Sequence, residues 1–388
     1  MSNQRAVLEN VPRVHFFEGG KRCPEDIIIP SVVRAVLEYL GDEDYGCKHC
    51  PMRGQACKVF CTYAHLVGVS GAAAFISWKE GWHGDNPALF YMSDDPGAVE
   101  DRIFAAIGYA QEAVMKEEGR DNEAVFRQRI VESIDRGMPA LAYGVIGPPE
   151  PSIITGYDEG GDVLIGWNFF QNFPDFNAGV EFEPEVAGQH GYFRKRDWFK
   201  ATENLLIIGE KRPKPSLPEV SRDALRWLVK VTRTPIVRPE PDAPEWYRNR
   251  HNGLAAYDAW ADLLLRDAEW PADDKATLRA HHQIHNDVIG TVAEARWYGS
   301  VFLAEIAEHF AAGPNYRGAS GHVLHAAACY ATEHDLMWQI WALAGGIGNP
   351  DAFRTMADPA TRRAMVEIIR QARDEDATAV NHMEQALL

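Results

Sequence analysis

The sequence predicts an α+β domain followed by an all-α helical bundle, and three observations carry that reading. Within residues 140–208, short apolar runs alternate with Gly and Pro, the pattern of strands closed by turns. After Gly253, apolar residues recur at helical spacing, as at Leu254, Tyr257, Ala261 and Leu264. Between the two textures, residues 211–250 carry the Pro-rich stretches KRPKPSLP and TPIVRPEPDAPEW, which read as stiff linker. The expected organisation is an α+β domain over 14–210 with a Cys-rich insert at 42–62, a linker at 211–250 with one short helix, and a helical bundle over 251–388.

The elements follow in order. Residues 30–40 read as a helix ended by Gly41, with Pro30 suited to a first turn. The stretch YAHLVGVSGAAAFISW is rich in Gly and Ala and predicts close packing, and WKEGWHGDNP after it reads as a loop. Asp95 and Pro96 open a helix read as far as about Lys116, and Asp121 caps another that ends at Gly137. Strands are expected at 140–146, 153–157, 163–167 and 205–208, the middle two joined by the turn Asp158–Asp162. The linker helix is read at about 219–231. Pro271 and Gly321 begin long helices, and Asp358-Pro359 begins the last.

Of 388 residues, 56 are Asp or Glu and 39 are Lys or Arg, a formal charge of −17. Binding to a phosphate backbone or an anionic membrane surface needs a basic footprint, so nucleic acid and membrane are not expected partners. No apolar run reaches the ~18 residues of a spanning helix, and the first residues lack a basic-then-apolar leader. A cytoplasmic protein is expected, its partner an unidentified small molecule or protein.

Four of the six cysteines, Cys47, Cys50, Cys57 and Cys61, fall within one short stretch. Their spacing offers enough sulfur for a tetrahedral structural zinc site, with an iron–sulfur cluster and unliganded or disulfide-paired thiols as the other readings. His49 and His65 are alternative ligands.

The segments SIDRGMPALAYGV, SIITGYD and GGDVLIGWN, following helices, resemble papain-like cysteine peptidases of the bacteriocin-processing type. They are also similar to the N-terminal domain of butirosin-biosynthesis acyltransferases. The most specific marks are Ile134, Gly137 and Pro139 at the entry to the sheet, and Gly156-Tyr157-Asp158. The resemblance spans about 14–210 and implies a papain-like fold, with a nucleophilic Cys at the start of the first helix and a His at the start of a strand. Counted from Gly41 and Gly156, those positions hold Ile28 and Glu150, and the orienting Asp or Asn falls near Trp167 or Asn168. A thiolate–imidazole pair needs a sulfur and a base within hydrogen-bond reach, and at these positions the sulfur and the imidazole are both missing, leaving the Glu150 carboxylate with no thiol to activate. Cys23 is the remaining thiol near the helix start, although Glu25 and Asp26 disfavour its thiolate.

The expected function is therefore a catalytically degenerate papain-like protein that binds a small ligand or partner in the former cleft, lined by Glu150, Trp167 and Asn168. Trp82 and His83, in a loop with Trp78, Asp85 and Asn86, are further ligand-binding candidates, though aromatic packing and capping account for such residues equally well. One alternative is a thiol-dependent amide hydrolase or acyltransferase using Cys23. A second is a metal-dependent enzyme with its site in the bundle. There His322, His325, Cys329 and Glu333 share a helix face and His281 and His285 share another, patterns that core histidines also produce.

Overall fold

The structure, a computed structural model, describes residues 4–14, 25–42, 58–117, 121–184, 191–239, 241–310, 317–346 and 348–388, without the side chains of 58–61 and 317. In chain order the elements are β1 (Ala6–Val7), α1 (Ile28–Tyr39), α2 (Lys58–Ser70), β2 (Ser77–Trp78), α3 (Ala98–Ile107), β3 (Tyr109–Met115) and α4 (Glu123–Asp135). Six strands follow: β4 (Ala140–Tyr143), β5 (Pro151–Asp158), β6 (Val163–Trp167), β7 (Val180–Phe182), β8 (Phe193–Arg196) and β9 (Asn204–Lys211). The rest comprises α5 (Leu217–Arg233), β10 (Ile236–Val237), β11 (Arg250–Asn252), α6 (Leu254–Leu264), α7 (Lys275–Ile306), α8 (Arg317–Leu343) and α9 (Pro359–Leu387). An N-terminal mixed α/β region with an antiparallel sheet thus precedes long C-terminal helices, α7 to α9, that pack together. Among the described residues, no helix is long and apolar enough to cross a membrane.

Contacts divide the chain into two units, one of residues 1–44 and 104–214, the other of 45–103 and 215–388. The first unit ends close to the expected 210, but its interior is interrupted. Residues 45–103, with α2, group with the helical part. The expected linker does too, because α5 packs against α2 and α9 through Val220, Leu225, Leu228 and Val231. Each such buried side chain contributes about 1.5–3 kcal/mol, which a solvated linker helix would forgo.

The first unit is built on a sheet in the order β3-β9-β4-β5-β6-β8-β7, antiparallel throughout, with β1 paired to the far end of β5. Phe126, Ile130 and Ile134 of α4 pack on Ala140, Ala142, Ile154, Leu164, Leu205 and Ile207. Leu141 and Ile153 are directly paired and, by the two-residue period of strands, point to the opposite face. α1 packs against β5. Gly137 ends α4 with a φ of 80°, and the amides of Gly137 and Met138 donate back to Ile134 and Ser133. α1 begins at Ile28, two residues before the expected start, so Pro30 falls inside the first turn, where its missing N–H has no helical acceptor to lose.

The helix expected from Asp95 to about Lys116 is contradicted. α3 stops at Ile107, and residues 109–115 form β3 on the sheet edge. Gly108 has a φ of 72°, and a Cβ there would meet the Arg212 carbonyl at 2.9 Å, so the chain turns sharply at this point. The segment YAQEAVM has helix-favouring composition, and pairing with β9 overrides it.

In the second unit, α7, α8 and α9 pack successively, with α6 and α5 on α9 and α2 on α7. Gly68 of α2 lies so close to the Phe302 ring that a Cβ would stand 2.2 Å from it, which accounts for the small residues in this stretch. β2, β10 and β11 form a small separate sheet in the order β10-β11-β2. The Asp358 side chain caps α9 by accepting from the amides of Ala360 and Thr361.

Candidate functional site

In the first unit, the residues that the resemblance places in a catalytic cleft are occupied otherwise. Ile28 is half-buried in the first turn of α1. Next to that turn, buried Glu25 pairs with Arg34 at 2.8 Å and accepts from Ser31 Oγ. Burial pushes the Glu25 carboxyl up, and the Arg34 guanidinium partly offsets that. Glu150 is half-buried one residue before β5, and its carbonyl accepts from the Gly144 amide. Trp167 donates its indole N–H to the Val11 carbonyl at 2.9 Å. Asn168 donates to Ser152 Oγ at 2.9 Å, and its Oδ1 accepts from the Phe170 amide at 2.7 Å. The polar atoms of Trp167 and Asn168 are thus engaged in tying β6 to the chain around it. Cys23 and the zinc candidates Cys47, Cys50 and Cys57 lie outside the described residues, as does the side chain of Cys61.

The loop candidates belong to the second unit and diverge. His83 is exposed, one ring nitrogen 2.7 Å from the Glu80 carbonyl. Trp82 packs with the Trp78 ring at 5.4 Å, Trp270 at 4.8 Å, His281 at 5.5 Å and His285 at 6.2 Å. Trp260 adds a further wall, stacked on Trp78 at 5.9 Å. The other polar residues of the loop fix its shape. Asp85 accepts from Tyr91 Oη at 2.6 Å and pairs with buried Arg250, which also donates to Asn86.

Hydrogen bonding inside this aromatic group is one-sided. Among the described residues, the buried indole nitrogens of Trp78, Trp82 and Trp270 find no acceptor and the buried Nε2 of His285 finds no partner. Trp260 donates its indole N–H to Nδ1 of His285 at 3.1 Å. An indole nitrogen only donates, so Nδ1 is the acceptor and the neutral ring carries its proton on Nε2. Burial, reinforced by His282, pushes the His285 imidazolium down to about 3, so the ring is neutral. Four buried N–H groups therefore lack acceptors within one group of rings, and leaving each unmet costs about 1–3 kcal/mol. His281 forms the more accessible side, its Nδ1 2.8 Å from the Glu269 carbonyl.

The i, i+4 spacing of His281 and His285 places them on one face of α7, as the sequence indicates. Trp260 and Trp270 carried no local signal of membership, because they come from α6 and the turn before α7. The helix face read at His322, His325, Cys329 and Glu333 is divided. His322 meets His382, the Cys329 thiol is bonded to Glu375, and Glu333 pairs with buried Arg296 at 2.9 Å. Among the described residues no three His, Cys, Asp or Glu side chains are already arranged around a metal position. No protein-family model matches the chain, and no curated protein matches it.

Proposed function

We propose that the chain is a non-catalytic binding protein on a papain-like scaffold, whose ligand is held by the aromatic group around Trp82. The observation that carries this reading is the set of four buried N–H donors, at Trp78, Trp82, Trp270 and His285, that find no acceptor among the described residues. Donors with no acceptors among apolar ring faces fit a flat molecule with carbonyl or ether oxygens. A neutral ligand is favoured, because His285 is neutral and a buried anion without a counter-charge is costly. The papain-like part is supported by α1 lying on β5, with Ile28 in the first turn of α1 and Glu150 just before β5. It differs from the sequence expectation in where the ligand sits, since Trp167 and Asn168 already have partners within the chain.

The test titrates the full chain with neutral probes, coumarin and benzamide, while following tryptophan fluorescence and Tm. Saturable binding that weakens at least tenfold in Trp82→Ala supports the reading. No binding by any flat neutral probe, with Trp82→Ala indistinguishable from the parent, overturns it. A parallel panel of peptide, amide and thioester substrates compares the parent with Cys23→Ser. Turnover that vanishes in Cys23→Ser would establish thiol chemistry instead.

A further inference from the structure

Three imidazoles meet on one seam of the second unit. His322 and His325 lie one turn apart on α8, and His382 faces them from α9. Nδ1 of His322 and Nδ1 of His382 are 2.9 Å apart. The His325 ring is stacked on His382, centroids 4.9 Å apart and planes inclined by 26°. His322 and His382 are half-buried and His325 is exposed, so the seam is open to solvent on one side. Cys329 lies one turn further along α8, and its thiol is bonded to Glu375 on α9. The pairs 322–382 and 329–375 follow an antiparallel register along the same seam.

The two nitrogens are spaced as ligands of one ion would be. Metal–imidazole bonds of about 2.0–2.1 Å put two nitrogens about 2.9 Å apart at the right angle of Ni²⁺ or Cu²⁺ and about 3.3 Å apart at the tetrahedral angle of Zn²⁺, which a small shift of either ring reaches. Without an ion, the two facing nitrogens stand at hydrogen-bond distance.

We propose that His322 and His382 bind a divalent transition-metal ion, with His325 turning in as the third ligand and water filling the remaining positions. An all-nitrogen, solvent-open set on two helices suits Zn²⁺, Ni²⁺ or Cu²⁺ rather than Mg²⁺ or Ca²⁺, which take oxygen ligands. The ion would staple α8 to α9. Cys329 is left out of the ligand set, because its thiol is engaged by Glu375 on α9. This inference is independent of the aromatic group and of the cysteine-rich stretch.

The test uses the full chain without an affinity tag, freed of metal and titrated with ZnCl₂ by calorimetry. The parent is expected to bind one more equivalent than His382→Ala, and His325→Ala to bind that equivalent at least tenfold more weakly. Cys50→Ser should retain it, which separates the site from thiolate ligands. Because His382→Ala alters a helix seam, the parent is also followed by long-range ¹H–¹⁵N spectra of its imidazoles. Zinc should shift the Nδ1 resonances of His322 and His382 together, and MgCl₂ should leave them unchanged. Equal stoichiometry in the parent and in folded His382→Ala, or imidazole resonances indifferent to zinc, would overturn the proposal.

Discussion

Trp260 donates its indole N–H to Nδ1 of His285 at 3.1 Å, with both side chains fully buried, and this bond fixes which nitrogen of His285 carries the proton. The consequence reaches Nε2, which becomes a donor facing a group of rings that already holds three other unmet donors. Trp260→Phe removes the bond and leaves a void. It should cost roughly 2–4 kcal/mol in urea unfolding, from the orphaned Nδ1 and the lost ring volume. Imidazole ¹⁵N shifts should show His285 changing from one tautomer to a mixture.

A second relationship lies at the centre of the helices. Arg296, fully buried, donates to Glu333 and Asp376, each at 2.9 Å, while Tyr257 donates to the same Glu333 oxygen at 2.8 Å. Two carboxyls share one guanidinium, and burial together with Asp376 holds the Glu333 carboxyl well above its usual range. Arg296→Met should destabilise by about 3–5 kcal/mol, because it strips the shared guanidinium from a buried carboxyl pair.

The same raised carboxyl makes stability depend on pH. An acid held higher in the folded state than in the unfolded chain stabilises fully below its unfolded value. That contribution declines as pH rises from there toward the folded value. Glu333→Gln should remove this decline, so its urea midpoint should gain on the parent as pH rises from 4 to 8. A midpoint difference that stays constant with pH would show that Glu333 is ionised in the folded protein.

Asp42 behaves in the opposite sense. Burial raises its carboxyl, but Lys211 at 2.8 Å, Lys214 at 2.7 Å and the Tyr109 hydroxyl outweigh that and leave it lowered. Its contribution is present above the ordinary carboxylate value and lost as pH falls through the lowered one. Asp42→Asn should cost about 1–2 kcal/mol at neutral pH and little in strong acid. The comparison is made from urea midpoints at pH 7 and pH 2.5.

Gly156 marks where β1 meets β5. A Cβ there would stand 2.6 Å from the Ala6 carbonyl, and backbone rather than a flexible side chain is in the way. Gly156→Ala should cost roughly 1–3 kcal/mol. It should also speed amide exchange at Leu8, whose N–H donates to the Thr155 carbonyl at 2.7 Å. Unchanged protection at Leu8 would mean that the strands slide to make room.

Features encoded by near neighbours were legible in the amino-acid order. Apolar spacing marked α6 to α9, Asp358-Pro359 marked the start of α9, and Gly137 marked the end of α4, because period and capping act within a few residues. Alternation between turns likewise marked β5, β6 and β9. The fold alone settled β3, whose helix-favouring residues become a strand by pairing with β9, about ninety residues away. It also decided that α5 is packed rather than a linker, and that Cys329 and Glu333 turn away from His322 to Glu375 and Arg296. His382 joins His322 from sixty residues away, and Trp82 finds Trp270 and His285 only once α7 is folded. All of these share one cause. Hydrogen-bond satisfaction and ring packing are settled by whichever groups the fold brings within a few ångströms, and local pattern does not encode that neighbourhood.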